Sequence, residues 1–141
     1  MKAVIHTNVF VSILIAPRGA GAWLMALWKE RRFEIVISHA LFEELAEVLQ
    51  RPNVARFVDP QRKLALFRQL RHSAIWTSES IDASRALPDP DDDFLIAAAQ
   101  EADAGWLVTW DKTLLVVKMC QNVQIVTPDH FIAVVRNYNA A

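Results

Sequence analysis

The sequence predicts an α/β protein, a three-layer α/β/α sandwich on a mostly parallel sheet of about five strands. Three observations carry that prediction. Short apolar runs at residues 4–5, 33–37, 106–109 and 123–126 have the composition of strands buried between layers. Segments whose apolar residues recur at helical spacing separate them. Only three glycines occur, too few for a large antiparallel protein full of tight turns. With 141 residues, 53% of them hydrophobic and 22% charged, one domain spanning 1–141 with a sizeable core is expected.

Each element has a local cause. Val4-Ile5 begins the first strand, which breaks at the polar triplet His6-Thr7-Asn8. Residues 8–16 then read as a short helix, ended by Pro17-Arg18-Gly19. Over 20–32, Trp23, Leu24, Leu27 and Trp28 recur at helical spacing, and the basic run at the end suits a helix C-terminus. Residues 33–37 form strand two. Ser38 is placed to N-cap a helix whose buried stripe is Leu41, Leu45, Val48 and Leu49, and Arg51-Pro52 stops it. Pro60 opens a helix carrying Leu64, Phe67 and Leu70, followed by a short strand at 74–77 and a polar connection at 78–90. An Ala-rich helix at 92–103 precedes the strand at 106–109 and a short helix at 114–119. The last strand covers 123–126, and Thr127-Pro128 opens a helix that runs to about Tyr138.

The net charge of −1 gives no overall positive field to attract a polyanion. Basic residues gather at 29–32 and across Arg51, Arg56, Arg62, Lys63, Arg68 and Arg71, a set that an ordinary solvated helix face also explains. Cys120 is the only cysteine, which excludes an intrachain disulfide and a cysteine-rich zinc site. No apolar run reaches the length of a membrane span and no signal-peptide pattern is present, so a soluble, cytoplasmic protein with no membrane partner is expected.

The densest chemical signal is Asp89-Pro90-Asp91-Asp92-Asp93, four carboxylates in five residues. Their repulsion is relieved either by a helix N-terminus, with Asp91 or Asp92 as cap, or by a divalent cation. Asp111 follows the apolar strand ending at Thr109-Trp110, where it either caps the next helix or faces a ligand at the sheet's carboxyl edge. Glu44 borders the Leu41, Leu45, Leu49 stripe, either solvated beside Glu43 and Glu47 or leaning over that same edge. Three such groups brought together would hold Mg²⁺ or Mn²⁺, generate a hydroxide nucleophile and neutralise a phosphate. His6 stands where this chemistry asks for a fourth carboxylate.

The order of these blocks carries a resemblance. The opening Val4-Ile5-His6-Thr7-Asn8-Val9 is similar to a family opening in which aspartate precedes Thr-Asn. Leu41-Phe42-Glu43-Glu44-Leu45-Ala46-Glu47-Val48-Leu49 before Arg51-Pro52 resembles its second block. Asp89-Pro90-Asp91-Asp92-Asp93 leading to Ala97-Ala98-Ala99 resembles the third, and Leu107-Val108-Thr109-Trp110-Asp111-Lys112-Thr113-Leu114-Leu115 the fourth. Val126-Thr127-Pro128 before the final helix also fits. Together, over nearly the whole chain, these resemble PIN-domain proteins, specifically the small single-domain toxins of bacterial toxin–antitoxin pairs.

That resemblance implies a Mg²⁺- or Mn²⁺-dependent endoribonuclease that hydrolyses RNA phosphodiesters and is restrained by an antitoxin protein. It implies Glu44, Asp92 and Asp111 as the metal-binding and catalytic carboxylates, with His6 in the first aspartate's place. Asn8 would orient the side chain at position 6, with Thr7, Ser12 and Thr109 supporting the site. Asp91 and Asp93 are the neighbours with which Asp92 is most easily confused. The chain departs from the family pattern at His6, at Trp110 where a small residue is usual, and at Thr113 where a further aspartate is common.

His6 brings no negative charge and is a poor ligand for Mg²⁺, though imidazole suits Mn²⁺ and other transition metals. Alternatively, nearby carboxylates would favour its protonated form, which would take the metal's place. Either way, weakened or absent metal binding and activity are expected. The other reading is a catalytically inactive PIN-like module that binds a protein or RNA partner. Trp23 and Trp28 cannot both point into the core. One buried and one exposed indole, or an apolar patch for an antitoxin or a second copy in a homodimer, are the two readings.

Overall fold

The computed structural model describes residues 1–83 and 85–140. Its six-stranded sheet has the order β3-β2-β1-β4-β6-β5, with helices making the outer layers of an α/β/α arrangement. The central strands are β1 (Lys2–Ile5) and β4 (Trp106–Val108), with β2 (Glu34–Ile37) and β6 (Val123–Val126) on either side of them. Ala3, Val4, Ile5, Leu107 and Val108 are fully buried, as strands covered on both faces require. All five of β3 (Ile75–Trp76), β2, β1, β4 and β6 run parallel. The chain adds β2 and β3 on one side of β1 and β4 on the other, so the strand order reverses between β1 and β4.

One strand more than expected is present. Residues 114–119 do not form a helix. The helix there is only α7 (Lys112–Leu115), and β5 (Met119–Cys120) turns back to pair antiparallel with β6. Gln121 and Asn122, with φ of 49° and 68°, make the two-residue turn between them. Both central residues at positive φ is the turn geometry that matches strand twist.

The first helix, α1 (Thr7–Ile15), starts directly after His6, whose carbonyl accepts from Val9 N–H at 3.0 Å. Next, α2 (Ala20–Lys29) packs on it so closely that a Cβ at Gly21 would lie 2.5 Å from Ile13 Cγ1. Trp28 is buried and Trp23 exposed, with the Arg136 guanidinium 5.0 Å from the Trp23 ring. In α3 (His39–Gln50), Ser38 Oγ accepts from Leu41 N–H, the expected N-cap, while Leu41, Leu45 and Leu49 face the core.

A short α4 (Pro52–Ala55) follows Arg51, and α5 (Pro60–Ser73) buries Leu66 and Leu70. Leu64 is half exposed rather than part of that stripe. Arg62, counted in the basic patch, donates to the Ile13 and Leu14 carbonyls at 3.2 and 3.4 Å. It thereby satisfies acceptors that the C-terminus of α1 leaves open. The Ala-rich α6 (Asp93–Glu101) crosses β1, β2, β4 and β6, so its N-terminal end is carried to the carboxyl edge of the sheet. In the last helix, α8 (Pro128–Ala140), Phe131 meets Phe33 edge-on with centroids 5.0 Å apart. Among the described residues no single helix is long and apolar enough to cross a membrane.

Candidate acidic site at the sheet's carboxyl edge

Strand register builds the centre of the site. Ile5 lies beside Val108 in the parallel pair β1·β4, so the next residues, His6 and Thr109, emerge side by side where the strand order reverses. That crevice is where open α/β sheets bind ligands. His6 N–H donates to Val108 O at 2.9 Å and Thr109 N–H to Val126 O at 3.0 Å, extending the ladder by one residue on each strand. His6 Nδ1 lies 2.8 Å from Thr109 Oγ1, and both residues are buried.

The hydrogen-bond network assigns the ring's protons. Thr109 Oγ1 accepts from Asp111 N–H at 3.0 Å and from the Asn8 amide at 3.2 Å. With its lone pairs thus engaged, the hydroxyl has its own proton to donate, and Nδ1 is the acceptor in reach. The neutral ring then carries its proton on Nε2, which faces Glu44 Oε1 at 3.9 Å. Held this way, the imidazole turns no free lone pair to a cation.

Burial lowers the His6 pKa, and this outweighs the opposing influence of Glu44 and then Asp111. Of the two alternatives for His6, the protonated ring standing in for a metal is the one that burial opposes. Removing the ring from water costs the charged form more than the carboxylates return.

The three carboxylates arrive from three elements. Glu44, on the flank of α3 between two buried leucines, leans over the end of β1 and accepts from Thr7 Oγ1 at 2.6 Å. Together with His6, Thr7, Asn8, Val11 and Val48 it lines an open depression of about 290 Å³. Asp111 is the N-cap of α7, its Oδ1 accepting from Thr113 N–H at 2.9 Å and Thr113 Oγ1 at 2.8 Å. The Thr113 hydroxyl bond is the main reason its pKa is lowered. Asp111 thus both caps a helix and faces the site.

Asp92 ends the 3-10 turn Pro90–Asp92 that leads into α6. Partial burial first, and then Asp89, Asp111, Glu44 and Asp91, push its carboxyl up to about 6. Glu44 and Asp111 therefore sit within electrostatic range of Asp92, although sequence separates the three widely.

The acidic run is sorted by its hydrogen bonds. Asp89 caps the 3-10 turn, accepting from Asp91 N–H at 2.9 Å, and Asp92 holds the expected N-cap position of α6, though without a side-chain cap hydrogen bond. Asp91 is exposed. Asp93 is buried, and its two oxygens accept from Arg85 N–H and Leu87 N–H, both at 2.8 Å. It ties the connection to α6 rather than facing His6. Ser12 donates to Val9 O at 2.8 Å and accepts from the Trp110 indole N–H at 3.3 Å. Asn8 Oδ1 accepts from Trp110 N–H at 3.1 Å, so α1 and the β4 exit are joined twice.

A feature that motif reading missed lies alongside. Glu101, at the end of α6, accepts from the backbone N–H and hydroxyl of both Ser78 and Ser80. This pins the chain leaving β3 beside a cavity of about 560 Å³ that Thr77, Asp93, Phe94 and Glu101 help to line. A glutamate nine residues past Asp92 carries no sequence signal for this contact.

Carboxylate oxygens are suitable donors for a hard divalent ion. Their placement does not close into a cage. Among the described residues no group of three or more His, Cys, Asp or Glu side chains stands in an arrangement able to hold a metal ion. Glu44 and Asp111 act electrostatically on Asp92, and beside them His6 presents a hydrogen-bonded ring.

Comparison with known proteins agrees with this layout. No curated protein matches the sequence. The family model described as PIN domain matches residues 2–113, a span that contains β1, α3, the acidic turn, β4 and Asp111. The chain belongs to the PIN-domain family.

Proposed function

We propose that this chain is a ribonuclease-type PIN protein, directed at RNA phosphodiesters, whose divalent-metal affinity and turnover are reduced by His6. Membership of the family points to nuclease-like chemistry in general. The observation that carries the finer reading is the coupling of Glu44, Asp92 and Asp111 around a neutral, hydrogen-bonded imidazole. Partial burial and nearby like charges raise the pKa of Asp92. A divalent ion, when bound, supplies a water of lowered pKa and neutralises charge developing on a phosphate. In this chain Thr7 orients Glu44, Thr113 orients Asp111, and Thr109 with Asn8 fixes the ring at position 6. Restraint by a protein partner, as in toxin–antitoxin pairs, belongs to the same reading.

The test is cleavage of single-stranded RNA with Mg²⁺ or Mn²⁺ by the wild-type protein and by His6→Asp. The aspartate variant should cleave faster with either ion, and adding Asp92→Asn should abolish the gain. No cleavage by His6→Asp with either ion would overturn the assignment. A second reading, a binding module without turnover, is favoured by the absence of a metal-holding group among the described residues. It predicts RNA or protein binding that is indifferent to divalent ions and no cleavage from either form.

A further inference from the structure

Trp110 stands between Thr109, which holds the His6 ring, and Asp111. It is 38% exposed although it directly follows the fully buried Thr109. The other four tryptophans have evident occupations. Trp28 is buried, Trp76 packs on His39 and Phe42, Trp106 packs on Phe131, and Trp23 lies under Arg136. Among the described residues Trp110 makes no ring–ring or cation–π contact.

Its ring is nevertheless held in place. The backbone N–H donates to Asn8 Oδ1 at 3.1 Å and the indole N–H to Ser12 Oγ at 3.3 Å. Both anchors are on α1 and both use the edge of the residue, so among the described residues no aromatic ring or cation occupies its π-face. A fixed, part-exposed aromatic face beside a group of carboxylates is suited to an uncharged, flat group whose attached phosphate lies at the acidic edge. An unpaired nucleobase has that chemistry, and stacking accepts any base because every base has a π-face.

We propose that Trp110 is a stacking platform for an unpaired nucleobase next to the phosphodiester at the acidic edge, making it a determinant of single-strand preference. This inference rests on the reading of the site as RNA-directed. A base inside a duplex already has both faces covered, so duplex RNA cannot use the platform without unstacking.

The test is binding of a fluorescein-labelled single-stranded oligoribonucleotide, followed by anisotropy in EDTA so that cleavage does not intervene. Wild type, Trp110→Phe and Trp110→Ala are compared, with thermal unfolding to verify that each variant is folded. Trp110→Ala should bind about 5- to 100-fold more weakly, the range of one lost base stack. Trp110→Phe should keep most of the affinity, and the matching duplex should bind wild type more weakly than the single strand. Equal binding by wild type and Trp110→Ala overturns the platform and leaves the RNA reading standing. So does an equal loss in Trp110→Phe and Trp110→Ala, which would place the effect in the indole N–H bond to Ser12. No binding of either RNA by wild type, in EDTA and again with Ca²⁺ in place of EDTA to neutralise the phosphate, overturns the RNA reading and the platform together.

Discussion

Replacing Asp93 with alanine removes the acceptor for two backbone N–H groups, those of Arg85 and Leu87, each 2.8 Å from its own carboxylate oxygen. Leu87 is 5% exposed, so its N–H has no water to turn to, whereas Arg85 is exposed and its N–H can hydrate. A hydrogen bond to a charged group contributes about 1.5–3 kcal/mol, and an orphaned buried donor retains its desolvation cost. Counting Leu87 at about 2–3 kcal/mol and Arg85 at about 1 gives a loss of about 3–4 kcal/mol. That is a large share of a domain's total stability of about 5–15 kcal/mol. It corresponds to a fall in Tm of roughly 10 °C at this chain length. Urea and thermal unfolding measure the loss, and amide hydrogen exchange at Leu87 localises it. A cost below about 1 kcal/mol, with Leu87 exchange unchanged, would refute the assignment of Asp93 to the scaffold.

Asp92, one residue away, should respond in the opposite sense. Its carboxyl is raised from 3.8 to about 6, so the stability linked to its protonation is complete below 3.8 and is lost as pH rises through about 6. Asp92→Asn should therefore raise stability at about pH 8 by up to about 1 kcal/mol, after allowance for solvent screening of a partly exposed group. The same variant should change little at about pH 3.5, and destabilisation at about pH 8 would contradict the electrostatic account. Gly21→Ala places a Cβ 2.5 Å from Ile13 Cγ1 and 3.2 Å from Ile13 Cα, so the α1–α2 packing must shift. A cost of about 1–3 kcal/mol in urea unfolding is expected, and an unchanged midpoint would show that the helices separate freely.

Much of the fold was legible because the strongest signals are local. The central strands are short apolar runs, and Ser38 is followed by a stripe at helical spacing, so both declare themselves without tertiary information. The sixth strand was hidden because its turn is Gln121-Asn122 instead of the Asn-Gly pattern that announces a two-residue hairpin. At the site, the residue types were legible and the roles were not. Four neighbouring carboxylates look alike in sequence, yet one caps a turn, one is exposed, one is raised in pKa by partial burial and nearby acids, and one ties down a loop. The state of His6 was equally out of reach. The carboxylates around it argue for a charged ring, and only burial, a property of the whole fold, reverses the sign.

On the function proposed above, His6 weakens metal binding at the acidic edge. The most direct test is isothermal titration of Mn²⁺ into wild type and His6→Asp. Loss of a residue that merely orients a ligand typically costs 10- to 100-fold in metal affinity, so restoring a ligand should tighten binding by at least about tenfold. The account also predicts that Asp92→Asn in the His6→Asp background reverses that gain. Equal Mn²⁺ affinity in wild type and His6→Asp would contradict it.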